Sequence, residues 1–155
     1  MVPCDGTWPS GHREDRAHEV DMAVKLGLSD GSALVLSWAM DGLNEGLAIM
    51  FRGVGESDAD SPGEPINVTN HIDWLEFVGL SIVDITPAWH IPNEGCPEMP
   101  WSFRLGFNTG VSLVVALGTA KGAGFAYSPD DLIVIFDEHL ALSYKIPASA
   151  TSSYG

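Results

Sequence analysis

Along the first third of the chain, apolar and polar residues take turns. Val20, Met22, Val24, Leu26 and Leu28 are interleaved with Asp21, Ala23, Lys25 and Gly27, which is the two-residue period of a half-buried strand. Leu34, Leu36 and Trp38 continue one face after a turn at residues 29–31, and Leu47, Ile49 and Phe51 supply a third strand beyond Asp41-Gly42. Three strands in sequence, joined by short turns, predict a meander. The theme returns later with Trp101, Phe103, Leu105 and Phe107, then Val111, Leu113, Val115 and Leu117. Residues 132–136 (LIVIF) contain no polar side chain. That is the pattern of a strand covered on both faces, so it is expected in the interior of a sheet.

The two regions also match residue by residue. Residues 25–37 read KLGLSDGSALVLS and residues 104–116 read RLGFNTGVSLVVA, with five identities. In both, an apolar run enters a three-residue turn with Gly in third place, where a left-handed conformation carries no Cβ cost. Leu47 and Phe51 have counterparts in Leu132 and Phe136, extending the match to the third strand. The expected organisation is one domain over residues 1–155, internally duplicated at about 1–51 and 80–136, with residues 52–79 between the copies. The expected fold is mainly β: an antiparallel sandwich or barrel-like domain built from two related meanders, with one or two short helices.

The connecting stretches follow from their punctuation. Residues 1–18 are rich in Pro, Gly and charge and read as loop, as do residues 53–65 (GVGESDADSPGEP). A short helix is predicted over residues 71–78, capped by Thr69 or Asn70, with Ile72, Leu75 and Val78 inward and Gly79 just past its end. Residues 80–89 read as a strand in which Asp84 interrupts the alternation and so faces the core or a pocket. Pro87, Pro92, Pro97 and Pro100 make residues 87–100 a rigid loop. Residues 118–124 (GTAKGAG) lack the Lys-Ser/Thr ending of a phosphate loop and read as a hairpin loop. Residues 137–144 suit a helical turn with Leu140 and Tyr144 on one side. Of the tryptophans, Trp38 and Trp74 lie on apolar stripes and are expected in the core, whereas Trp8, Trp89 and Trp101 sit in or beside the long loops.

Charge narrows the function classes. The 155 residues carry a formal net charge of −14, which repels phosphate backbones, and the seven basic residues form no cluster. Direct nucleic-acid binding is therefore not expected. No apolar run reaches the roughly 20 residues of a membrane helix, and residues 1–20 lack the pattern of a signal peptide, so a cytoplasmic location is the expectation. Cys4 and Cys96 define no disulfide framework.

Candidate chemistry is sparse, and no catalytic motif is present. Cys4, His12, His18, His90 and Cys96 would make a ligand set only if the two long loops met. They lack Cys-x-x-Cys or His-x-x-x-His spacing, so neither a metal nor another cofactor is expected. The leading reading is non-catalytic binding of a basic protein partner through an acidic face, with Glu56, Asp58, Asp60, Glu64 and Trp89 as contact residues. In general character the chain is similar to immunity proteins that neutralise toxins. The alternative is a small enzyme or ligand-binding barrel with a polar cavity around Asp84 and His90, joined by Asp137 and His139. A third reading is a structural subunit that forms homo-oligomers through an exposed edge strand.

Overall fold

The computed structural model describes residues 16–56, 65–122, 124–142 and 144. The chain runs β1 (Ala17–Val20), β2 (Ala23–Gly27), β3 (Ala33–Asp41), β4 (Asn44–Arg52), α1 (Ile72–Leu75), β5 (Ile82–His90), β6 (Met99–Phe107), β7 (Ser112–Leu117), β8 (Thr119–Lys121), β9 (Gly124–Ala126), β10 (Leu132–Ile135) and α2 (Glu138–Leu142). A five-stranded sheet has the order β1-β10-β7-β6-β5, a three-stranded sheet the order β2-β3-β4, and β8-β9 form a separate hairpin. Every pairing is antiparallel. The protein is mainly β, and among the described residues there are two short helices and no sheet that closes on itself.

The two meanders, β2-β3-β4 and β6-β7-β10, share one register. Val24 lies opposite Leu36 in the first and Phe103 opposite Val115 in the second, the positions aligned by the sequence match. On the next ladder Trp38 faces Leu47, and Leu117 faces Leu132. The turns agree as well. Leu28 N–H donates to Ser32 O (2.8 Å) and Gly31 N–H to Leu28 O (3.1 Å), while Phe107 N–H donates to Val111 O (3.0 Å) and Gly110 N–H to Phe107 O (2.9 Å). Gly31 has φ 87° and Gly110 φ 88°, so both turns use the left-handed conformation that glycine adopts without penalty. A slip of one residue would turn either meander's apolar set to the wrong face.

The interior is centred on β7 and β10, which are buried along their whole length. β10 lies between β1 and β7, as its uniformly apolar sequence predicts. The three-stranded sheet meets the larger one through β4, which runs beside β6 and β7. At Gly46 an added Cβ would come within 3.1 Å of Pro100 O and 3.0 Å of Met99 Cβ, so the backbones approach where a side chain is missing.

Several expectations are corrected. The alternation over residues 20–28 is two strands in two sheets: β1 pairs with β10 and β2 with β3. Met22, at φ 65°, turns the chain between them. Ala17 and His18, expected in a loop, are buried strand residues. The proline-rich stretch is strand at both ends and loop only over residues 91–98, since β5 runs through Pro87 to His90 and β6 begins at Met99. Proline is tolerated because β5 is an edge strand and because Pro100 sits at a register shift, where Ala88 faces Ser102 and Trp89 faces Pro100. Trp101 falls in that bulge and is buried against Tyr144 (ring centroids 5.0 Å). Residues 118–124 form most of the β8-β9 hairpin rather than a plain loop.

The first helix is shorter than its pattern suggested and faces the other way. It is capped by His71 rather than Thr69 or Asn70, and spans one turn. Trp74 and Phe77 are buried, whereas Ile72, Leu75 and Val78 are 78%, 52% and 54% exposed. Trp74 packs edge-on against Phe136 (5.0 Å, 85°), and Phe77 meets Phe107 (5.1 Å). Two stripes with the same three-residue spacing competed for the core, and the aromatic pair buries more apolar area.

Candidate functional site

Two features stand out, and α1 belongs to both. The first is a cluster of titratable side chains where α1 meets β1. His71 has extended backbone angles (φ −71°, ψ 141°) and accepts the Asp73 N–H on its Nδ1 (3.2 Å), closing the first turn of the helix. Asp73 is thereby aimed at β1. Its Oδ2 lies 3.1 Å from His18 Nε2 and 3.7 Å from His71 Nδ1. Its Oδ1 lies 3.3 Å from Arg16 Nε, and the same guanidinium pairs with Glu76. Arg16 itself is held at φ 66°, and its carbonyl accepts the Phe136 N–H (2.9 Å).

His18 is wholly buried, its ring edge-on to His71 and to Phe136 at 4.6 Å in each case. Asp73 and His71 keep small openings to solvent, with side chains 13% and 17% exposed. The cluster thus joins a fully buried imidazole to a carboxylate and a second imidazole near the surface. These three side chains are the donors that can hold a metal ion among the described residues.

The second feature is a run of exposed apolar residues along the segment that carries α1 and β5. Fourteen large hydrophobic residues are exposed among the described residues, and seven of them (Ile66, Ile72, Leu75, Val78, Val83, Ile85 and Trp89) fall between α1's approach and the end of β5. β5 is the edge strand of the five-stranded sheet. Asp84, predicted to face a core or pocket, is exposed on it between Val83 and Ile85 and accepts a hydrogen bond from Thr86 Oγ1 (2.8 Å). The register shift between Ile82 and Asp84 accounts for the broken alternation.

The residues nominated for an alternative cavity do not gather around one centre. Asp84 and His90 lie six residues apart on one strand, about 20 Å at roughly 3.3 Å per residue. His90 is buried with its ring against Tyr127 (5.3 Å), and its Nε2 lies 3.2 Å from the Glu45 carbonyl, which accepts the bond. Tyr127 O–H donates to Glu45 Oε1 (3.3 Å). Asp137 caps α2, its Oδ1 accepting the Leu140 N–H (3.0 Å), and His139 is exposed on that helix. The loop-spanning ligand set also separates. His18 on β1 and His90 on β5 occupy opposite edges of the sheet, four strand spacings or about 19 Å apart. Cys96 is half-buried between β5 and β6, and Cys4 and His12 lie outside the described residues.

Of the nominated partner contacts, Trp89 and Glu56 are exposed. Glu56 folds back so that its Oε2 accepts the Gly53 N–H (3.0 Å). Asp58, Asp60 and Glu64 lie outside the described residues, as does Trp8. Sequence reasoning passed over His71 and Asp73 as a pair. The available signal was a His-x-Asp at a predicted helix start, but its partner His18 is 53 residues away and could be joined to it only by the sheet.

Burial pushes the pKa of His90 below the ordinary 6.5, against the opposing pull of the Glu45 carbonyl and carboxylate. The folded state therefore binds this proton less readily than the unfolded state. The contribution of His90 to stability is present above pH about 6.5 and lost as pH falls below it toward the folded pKa. Urea denaturation between pH 7 and 5 is expected to show wild type losing stability relative to His90→Gln. Parallel curves for the two proteins would show that His90 is not held neutral by burial.

No protein-family model matches the chain, and comparison with curated proteins and with solved structures likewise finds no match.

Proposed function

We propose that the protein is a non-catalytic binding domain that docks a basic protein partner through exposed apolar and acidic residues of the segment that carries α1 and β5. The supporting observation is a coincidence of two patterns in one segment. Residues 53–103 contain no Lys or Arg but nine acids: Glu56, Asp58, Asp60, Glu64, Asp73, Glu76, Asp84, Glu94 and Glu98. The same segment carries the seven exposed hydrophobics named above. Apolar residues with acids set between them suit a partner surface in which Lys and Arg surround an apolar centre. The aliphatic residues would supply the area removed from water, and the acids would steer encounter and exclude acidic competitors.

A cytoplasmic location fits this reading, and no helix among the described residues is long and apolar enough to cross a membrane. The shared register of the two meanders supports a duplicated origin, in which residues 52–79 were inserted between copies and became the binding segment.

The test is capture from the source cell with the full chain as bait, followed by kinetics with the purified partner. Neutralising Glu56, Asp58, Asp60 and Glu64 together is expected to slow association several-fold at low salt and less at moderate salt. Leu75→Ser with Val83→Ser should mainly speed dissociation. Capture of no basic protein, or kinetics unchanged in both variants, overturns the proposal. Sedimentation showing self-association lost in Val83→Ser would replace the partner by a second copy of the chain.

A further inference from the structure

We propose that His18, His71 and Asp73 form a binding site for one divalent transition-metal ion of the zinc class. A tetrahedral ion with bonds of about 2.0–2.1 Å holds its donors about 3.3 Å apart. The separations from Asp73 Oδ2, 3.1 Å to His18 Nε2 and 3.7 Å to His71 Nδ1, fall on either side of that value. All three donors lie within 4.8 Å of one another, so closing the set around an ion takes only small side-chain rotations. Two imidazoles and one carboxylate favour zinc, cobalt or nickel over calcium or magnesium, which take oxygen donors.

The surroundings fit a cation. Arg16 holds Asp73 Oδ1 at 3.3 Å, which leaves Oδ2 to bind the ion, in the way that outer hydrogen-bond partners orient a ligating carboxylate. Arg16, Asp73 and Glu76 together carry one net negative charge when the histidines are neutral. The site is closed on the His18 side and open beside His71 and Asp73, giving an ion a way in and leaving a fourth position for water or a partner's side chain. Two interactions compete: the lone pair of His71 Nδ1 accepts the Asp73 N–H, and His18 Nε2 shares a hydrogen bond with Asp73 Oδ2 (3.1 Å). Both are weaker than a zinc–imidazole bond and yield to the ion, His18 then presenting the lone pair of Nε2 with its proton on Nδ1. The proposal is independent of partner docking and extends to the folding of residues 66–79, because the ion would tie α1 to β1.

The experiment strips the full chain with a chelator and titrates it with Co²⁺ and then Zn²⁺. One saturable equivalent is expected, with the visible absorption of four-coordinate cobalt, its displacement by zinc, and a rise in melting temperature. His71→Asn keeps a side chain that caps helices well and removes the imidazole, and Asp73→Asn removes the carboxylate charge. Each is expected to weaken binding at least ~10-fold, while His90→Gln binds as wild type does. Circular dichroism establishes that each variant is folded. Absence of saturable binding to wild type at millimolar metal overturns the proposal. So does equal binding by folded His71→Asn and Asp73→Asn, which would place the ion elsewhere on the chain.

Discussion

Val134→Asp is expected to abolish cooperative folding. Val134 is fully buried at the middle of β10, opposite Val115 on β7 and His18 on β1. A carboxylate there has no route to water, and moving an ionised or unpaired acid into such a place costs several kcal/mol after relaxation. The histidine across the ladder offers little relief, since His18 Nε2 already faces Asp73 and a second carboxylate beside it would add repulsion. The total stability of a domain this size is about 5–15 kcal/mol. Loss of the Val134 side chain's packing and the buried charge together remove most of it. Val134→Thr has nearly the same shape and adds only a hydroxyl, so it should fold and melt lower. Thermal melts followed by circular dichroism decide the matter. An aspartate variant melting within a few degrees of wild type would take β10 out of the core.

The second large effect is expected at Gly118, between β7 and β8. An added Cβ would stand 2.8 Å from Tyr144 Cε2 and 3.0 Å from the Ala126 carbonyl, and closer still to the Tyr144 hydroxyl. The tyrosine cannot easily give way. Its hydroxyl donates to the Leu117 carbonyl, and its ring lies 5.0 Å from Trp101 and 6.0 Å from Phe125, stacked on the latter. Burial raises the phenol's pKa above its ordinary value, so it remains a donor throughout the pH range in which the protein would be handled. Gly118→Ala should therefore cost about 3 kcal/mol, the upper end for overpacking, or a fall of roughly 6–12 °C in Tm. Tyr144→Ala should be costly alone. Adding Gly118→Ala to it should then cost far less than it does in wild type, because the clash has been removed. Calorimetry of the four proteins tests this, and additive losses would show that the two residues do not meet.

How much of this was legible beforehand depended on how local the cause was. The LIVIF strand, the two glycine turns and the two meanders could be read because strand alternation, turn stereochemistry and complete apolarity act within a few residues. The pattern at Ile72, Leu75 and Val78 was equally regular yet led to the wrong face. A helix of one turn offers several three-residue spacings, and the choice fell to Trp74 and Phe77 because Phe107 and Phe136 were already placed to receive them. Proline placed a loop at residues 87–100 by the same local logic. The strand survives there because β5 is an edge and β6 bulges at Trp101, facts belonging to the whole sheet.

By itself, then, the amino-acid sequence determined the antiparallel β class, the two hairpins with a glycine in their turns, the interior place of β10 and the strongly acidic character of residues 53–103. Each of these rests on neighbouring residues or on composition. The tertiary structure alone decided that β1 leaves the first meander to pair with β10, since a left-handed Met22 redirects the chain. It also decided that His18 meets His71 and Asp73 while His90 lies at the far edge. Such contacts join residues far apart in sequence, and no local periodicity encodes which of five histidines will share a corner of the fold.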